Sequence, residues 1–210
     1  MSILKLVSRL GVYGCTLVFS GAIFAQAATF TEPAKYFGGT AIQFDVGYQP
    51  YSIKGSDLRL NYGSLQLPDQ RYQGSSIPYF VGLSHTIALG SQATIAAQIE
   101  VNPVNRQYVL SVLPGYAFTP NIQGYSKVAF VHAQVSVDVV NNQNKTASTT
   151  GLTAGVGAKY LLVSNWYGFV EANYVKMNSF SLQTNLNGLT VTGQADYSGY
   201  NIMAGIGYKF

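Results

Sequence analysis

The chain of 210 residues is 48% hydrophobic and 13% aromatic, yet only 10% of it is charged. Its length fits one domain or at most a small pair; so few charges exclude an ordinary solvated surface, and the apolar content excludes disorder. The formal charge of +4 counts Lys5 and Arg9, which lie in a segment expected to be removed; the remaining ten basic and eight acidic residues form no basic stripe and call for no nucleic-acid partner.

Residues 1–27 carry those two cations, then an apolar run over 10–25, then the small-x-small triplet Ala25, Gln26, Ala27. These are the three parts of a cleavable signal peptide, with cleavage after Ala27. A retained transmembrane helix would need about 20 apolar residues, more than the run supplies. Lipoprotein processing at Cys15 fits less well, because Tyr13 suits that site poorly and the apolar run continues past the cysteine. With Cys15 in the removed segment, the mature chain has neither a disulfide nor thiol chemistry.

Beyond this point apolar residues recur with period two, the mark of strands with one apolar face. Ile42, Phe44, Val46 and Tyr48 open the series. Tyr79, Val81, Leu83, Ile87 and Leu89 follow, with His85 interrupting the row unless a bulge intervenes. Next come Ile95, Ala97, Ile99 and Val101, then Tyr108, Leu110, Val112, Tyr116 and Phe118. A fifth run shows Gly124, Val128 and Phe130, and a sixth Leu152, Ala154, Val156, Ala158 and Tyr160. Val170, Ala172 and Tyr174 form the seventh; Tyr200, Ile202, Ala204, Ile206, Tyr208 and Phe210 form the eighth. Turns at Gly90, Pro120 and Asn165 are tight, while 49–75, 141–150 and 178–195 read as long polar loops and 102–105 as a short one. The Asn-rich stretch 141–145 reads as flexible linker. Pro78 and Pro114 each remove a ladder donor and mark bulges or strand ends.

The face opposite the apolar rows carries Gln43, Asp45, Gln98, Glu100, Lys127, Thr153, Lys159, Glu171, Asn173, Asn201 and Lys209. A soluble barrel would bury the apolar face, and a membrane barrel would turn it to lipid. Low charge and aromatic residues clustered at strand ends favour lipid. The expected fold is therefore all-β: an eight-stranded antiparallel up-and-down transmembrane β-barrel over 37–210, after the signal peptide 1–27 and a short periplasmic segment 28–36. Eight strands enclose an interior just wide enough for side chains to fill.

The stretch 200–210, ending in Tyr208, Lys209 and Phe210, resembles the C-terminal strand of Gram-negative outer-membrane proteins. The stretches 124–130 and 151–160 are similar to the fifth and sixth strands of small barrels of the OmpA, OmpX and opacity-protein superfamily. The likeness to OmpA is to its membrane half alone. It implies a multi-pass protein of the cell outer membrane, whose Tyr208 and Phe210 are read by the barrel-assembly machinery. It also implies contact with outer-membrane lipid and lipopolysaccharide.

Asp45, Lys127, Lys159, Glu171 and Lys209 are the candidate lumen charge network, since charges in a narrow barrel must be paired or hydrated. Lys127, Lys159 and Glu171 are expected at similar depth in the periplasmic half; Glu100 is expected near the outer end and simply solvated. Glu171→Leu is expected to strand an amine and to cost about 3 kcal/mol. A filled lumen implies a structural or adhesin-like role through the outer loops, where 51–73 mixes Lys54, Asp57, Arg59, Asp69 and Arg71 with tyrosines suited to a host or protein ligand. The rival reading is a narrow pore gated by the charge network. A third is a lipid A-modifying enzyme built on His132 with Ser136 and Asp138, although His85 and His132 lack the sequence context such deacylases use. No metal or cofactor is expected, because no His, Asp and Glu spacing places ligands on one face.

Overall fold

The computed structural model describes residues 10–11, 32–60, 65–66, 68–104, 106–137, 145–163, 165–186 and 189–210. The signal-cleavage residues Ala25 and Ala27, together with Cys15, Asp138 and 141–144, lie outside the described residues. Leu10–Gly11, inside the segment expected to be removed, pairs with Val137 and Ser136.

Eight antiparallel strands form the wall: β1 (Gly39–Leu60), β2 (Tyr79–Ala88), β3 (Ala93–Asn102), β4 (Gln107–Ala117), β5 (Ile122–Val137), β6 (Lys145–Leu161), β7 (Trp166–Met177) and β8 (Leu189–Lys209). Each pairs with the next in sequence, and β8 closes on β1 from Lys209↔Ala41 up to Val191↔Leu60. No helix among the described residues is long and apolar enough to cross a membrane. Tight turns join β2–β3, β4–β5 and β6–β7 at one end, the turn end; the longer connections lie at the other, the loop end.

The outer surface of the wall is apolar over a continuous belt. Phe44, Leu83, Leu110, Val128, Val156, Val170 and Ile202 are among its exposed side chains. Rings border it at both ends. Towards the loop end stand Tyr48, Tyr108 and the cross-strand pair Tyr174–Tyr200, with centroids 5.0 Å apart. Towards the turn end, Trp166–Tyr208 and Tyr208–Phe210 meet edge to face at 5.1 and 5.4 Å. From Tyr200 to Phe210 the chain rises roughly 33 Å, or about 25 Å of height at a tilt near 40°, which matches the lipid-facing band of a transmembrane barrel.

Two readings of the prolines and of His85 need correction. Pro114 sits inside β4 without a bulge: Val112↔Val128 and Gly115↔Tyr125 share one register, and the strand simply omits pairs between them. His85 needs no bulge either, because β1 and β2 stay in register from Gly39↔Thr86 to Val46↔Tyr79. Its ring faces outward near the turn end and shares a 2.9 Å hydrogen bond with Thr40 Oγ1. Pro78 does interrupt pairing, between Gln70–Ser76 and β2.

The larger correction concerns the long loops. Much of 49–75 is sheet: β1 runs on to Leu60, and Gln70–Ser76 returns beside it from Gly55↔Gln70 to Gln49↔Ser76. Phe180–Leu186 likewise pairs with the start of β8, so 178–195 is largely a hairpin. The reason is a change of hydrophobic phase. Along β1, even-numbered residues point outward from Ile42 to Lys54, but they pass from Phe44, Val46 and Tyr48 to Pro50, Ser52 and Lys54. The odd, inward residues pass from Gln43 and Asp45 to Tyr51 and Ile53. β7 and β8 repeat the change, with Lys176 and Ser198 outside and Val175, Met177 and Tyr197 inside. In β5 the outward row moves from Phe130 to His132 and Gln134 as Val131 and Ala133 turn inward. The phase slips because the medium outside the wall changes from apolar to aqueous, while the wall itself continues.

Candidate functional site

Among the described residues, charges are concentrated and dry in the lumen. Inward parity on β3, β5 and β7 brings Glu100, Lys127 and Glu171 to one level, all with fully buried side chains. Lys127 Nζ donates to both Glu100 oxygens, at 3.0 and 3.2 Å, and to Glu171 Oε1 at 3.3 Å. One amine thus sits between two carboxylates. Glu100 is not the solvated rim residue expected from its position; inward side chains from separate strands converge on it, and Ser111 and Gln98 also donate to it. Glu171 accepts further bonds from Tyr125 Oη at 3.3 Å and from Asn173 Nδ2, which also donates to Asn201. With the remaining acceptor positions occupied, the charges keep hydrogen-bonded partners despite their burial.

The other expected members are distributed differently. Lys159 is buried with its Nζ 4.8 Å from the centroid of Tyr125 and 5.9 Å from that of Tyr167. Its contacts are thus ring faces below the carboxylates, at a lower level than Lys127 and Glu171. Asp45 is buried on β1 opposite Gly205. Lys209 stands apart from the cluster at the turn end, where its Nζ donates to the Tyr36 carbonyl at 2.6 Å. That carbonyl belongs to α1 (Pro33–Phe37), a short helix whose Ala34 and Phe37 pack with Ala117 inside the turn-end mouth. Ala34 N also donates to Ser91 O at 2.9 Å.

Glycine makes the ring layer geometrically feasible. A Cβ on Gly157 would lie 2.4 Å from the Tyr125 ring, and one on Gly207 would lie 2.2 Å from that of Tyr167. Each ring lies across a neighbouring strand at a position with no side chain, so both phenols stay inside the wall. Tyr167 Oη then donates to Gln43 at 2.9 Å.

Sequence reasoning missed the tier above the carboxylates. Ile53, Val109, Val131, Val175, Met177 and Tyr197 form a buried apolar cluster towards the loop end, with Tyr51 and Tyr72 packed against it. Gln49 Nε2 donates to Tyr197 Oη at 2.9 Å on the boundary between the tiers. The phase slip was the available signal. From the turn end upward the lumen therefore holds a helix stopper, an aromatic layer, a charge cluster and an apolar plug.

Outside the wall, His132 is half-buried on the outward row of β5, its ring 6.4 Å from that of Tyr108. It borders a cavity of about 410 Å³ with Ser148, Thr149, Asn178 and Ser179. Ser136 follows on the same parity, but its side chain and Asp138 lie outside the description. On the far side of β8, Lys54 pairs with Asp69 at 2.7 Å, and this hydrogen bond with its charge raises the ammonium above its ordinary pKa. Among the described residues no group of three or more His, Cys, Asp or Glu side chains is placed to hold a metal ion.

The family model described as outer membrane protein beta-barrel domain matches residues 15–210. Among curated proteins none matches the chain. Among solved structures, the outer membrane protein OprG from Pseudomonas aeruginosa is similar, at 15% identity over 80% of this chain and 95% of that one, with a TM-score of 0.50. Neisserial surface protein A shares 16% identity over 80% of this chain and 97% of its own, with a TM-score of 0.37.

Proposed function

Because the chain belongs to the outer membrane protein beta-barrel domain family, we propose that it is a non-conducting barrel of the Gram-negative outer membrane, exported by a signal peptide that is removed, and that it acts through its raised loop end. In this reading the lumen gives rigidity, and the sheet extension presents polar residues to lipopolysaccharide, to a host surface or to another protein. The observation that carries it is the stacked closure of the lumen, with Lys127 clamped between Glu100 and Glu171 beneath the Ile53, Val131 and Tyr197 plug. Opening a channel would require separating a fully desolvated ion triad and also displacing a packed apolar tier. Either step is costly.

The test is single-channel current across a planar bilayer, using mature protein refolded in detergent and identified as a barrel by its heat-dependent gel mobility. Silence over long recordings is the expected result. Discrete steps whose size or open time changes when Glu171 or Lys159 is neutralised would make the cluster a gate and replace this reading with a narrow pore. Turnover of a lipid substrate that disappears in His132→Ala would instead favour the enzyme reading.

A further inference from the structure

On the outer surface of β7, β8 and β1, just above the phase slip, two adjoining grooves of about 590 and 380 Å³ share Ser52, Arg71, Tyr174 and Ser198. The register aligns their polar residues in one row: Lys176 lies opposite Ser198, Ser198 opposite Ser52, and Arg71 Nε donates to Ser52 Oγ at 3.0 Å. A cation thus stands at each end and two hydroxyls lie between. Tyr174 and Tyr200 form the floor at the upper edge of the apolar belt.

The charges in this groove are not equivalent. Lys54 is paired with Asp69, and Asp196 accepts from Ser179 Oγ. Among the described residues no carboxylate pairs with Arg71 or Lys176, and both side chains are exposed. Ser52 takes the Nε donor of Arg71, and a guanidinium has further N–H donors that can serve a ligand. Lys176 and Ser198 stand two positions beyond Tyr174 and Tyr200, or about 5 Å of height above the belt, which is the headgroup depth of a bilayer; Arg71, in register with Lys54 and Asp196, starts two positions higher and reaches back to Ser52.

We propose that this groove binds the phosphorylated headgroup of an outer-leaflet lipid, with Arg71 and Lys176 holding phosphate oxygens, Ser52 and Ser198 within donor range, and the lipid's chains lying along the Tyr174 and Tyr200 rings. Charge-assisted bonds from two cations suit a phosphate, and rings at the apolar boundary suit the start of an acyl chain. The site rests on the membrane placement proposed above.

The experiment inserts refolded protein into phosphatidylcholine vesicles doped with a bisphosphorylated, acylated glucosamine disaccharide. Insertion is scored first, by heat-dependent gel mobility and protease protection, so that a failure of the membrane reading is seen separately. Lipid retained on the barrel is then counted by native mass spectrometry. The wild type is expected to retain the phosphorylated lipid at least about tenfold better than Arg71→Gln/Lys176→Gln, and better than it retains the dephosphorylated lipid. Arg106→Gln, which removes one cation at the short connection between β3 and β4, should bind as the wild type does, and Arg71→Gln alone should bind more weakly. Displacement by millimolar inorganic phosphate would reduce the site to one for free phosphate. Equal retention by the inserted wild type and double variant would overturn the proposal.

Discussion

Below the ring of Tyr48, Tyr174 and Tyr200 and above it, the same strands follow opposite rules. Below, β1 turns Phe44 and Val46 outward and Gln43 and Asp45 inward; above, it turns Ser52 and Lys54 outward and Tyr51 and Ile53 inward. The lower part is built as a membrane barrel and the upper part as a water-soluble one, with β1 and β8 running through both. Hydrophobicity follows the medium outside the wall, and the lumen takes the complement. A polar, ion-paired core lies where lipid surrounds the wall, and an apolar core lies where water does.

The largest effect that could break this comparison is expected in the lower core. Lys127→Met leaves Glu100 and Glu171 facing each other without their cation, and should cost about 3–5 kcal/mol in urea-dependent unfolding from detergent. Adding Glu100→Gln and Glu171→Gln should restore most of that loss. If it does not, the cluster contributes through shape rather than charge. In the upper core, Ile53→Ala should cost about 3 kcal/mol by leaving a cavity, whereas Gln73→Ala on the outward row of the returning strand should change stability by less than about 0.5 kcal/mol. Similar losses at both positions would dissolve the distinction between the faces.

Glu171→Leu is expected to cost about 2 kcal/mol, below the figure inferred from sequence, because Lys127 keeps Glu100 while Tyr125 and Asn173 lose an acceptor. Gly157→Ala should cost about 1 kcal/mol by pushing the Tyr125 ring from its seat, visible as a shift in near-ultraviolet circular dichroism. Deleting Phe210 should change unfolding least, since it is held by one backbone hydrogen bond to Thr40 and an edge contact with Tyr208. It should instead lower the amount of folded protein recovered in outer-membrane fractions.

The eight strands, the tight turns and the outward apolar rows were legible because lipid on one side and polar groups on the other give clean alternation. Legibility failed where that contrast changed sign. Between Tyr48 and Tyr51 the apolar phase moves by one residue, and Gly, Ser and Gln above the slip resemble loop composition although their backbone is paired. Glu100 was misplaced for a different reason. Strand position gives height along one strand, but tilt and the reach of a long side chain decide which neighbours converge, and only assembled strands bring Glu100 to Lys127. Lys209 shows the reverse: inward parity suggested the charge cluster, while its place at the strand terminus delivers it to α1.

The phase slip also fixes how deeply the molecule floats. Sinking by a few ångströms would carry Lys54, Arg71 and Lys176 into hydrocarbon, and rising by the same amount would lift Tyr208 and Phe210 out of their interface. With both directions opposed, the barrel has a set draught. A bilayer thicker or thinner than the roughly 25 Å belt must then deform at its edge to meet it.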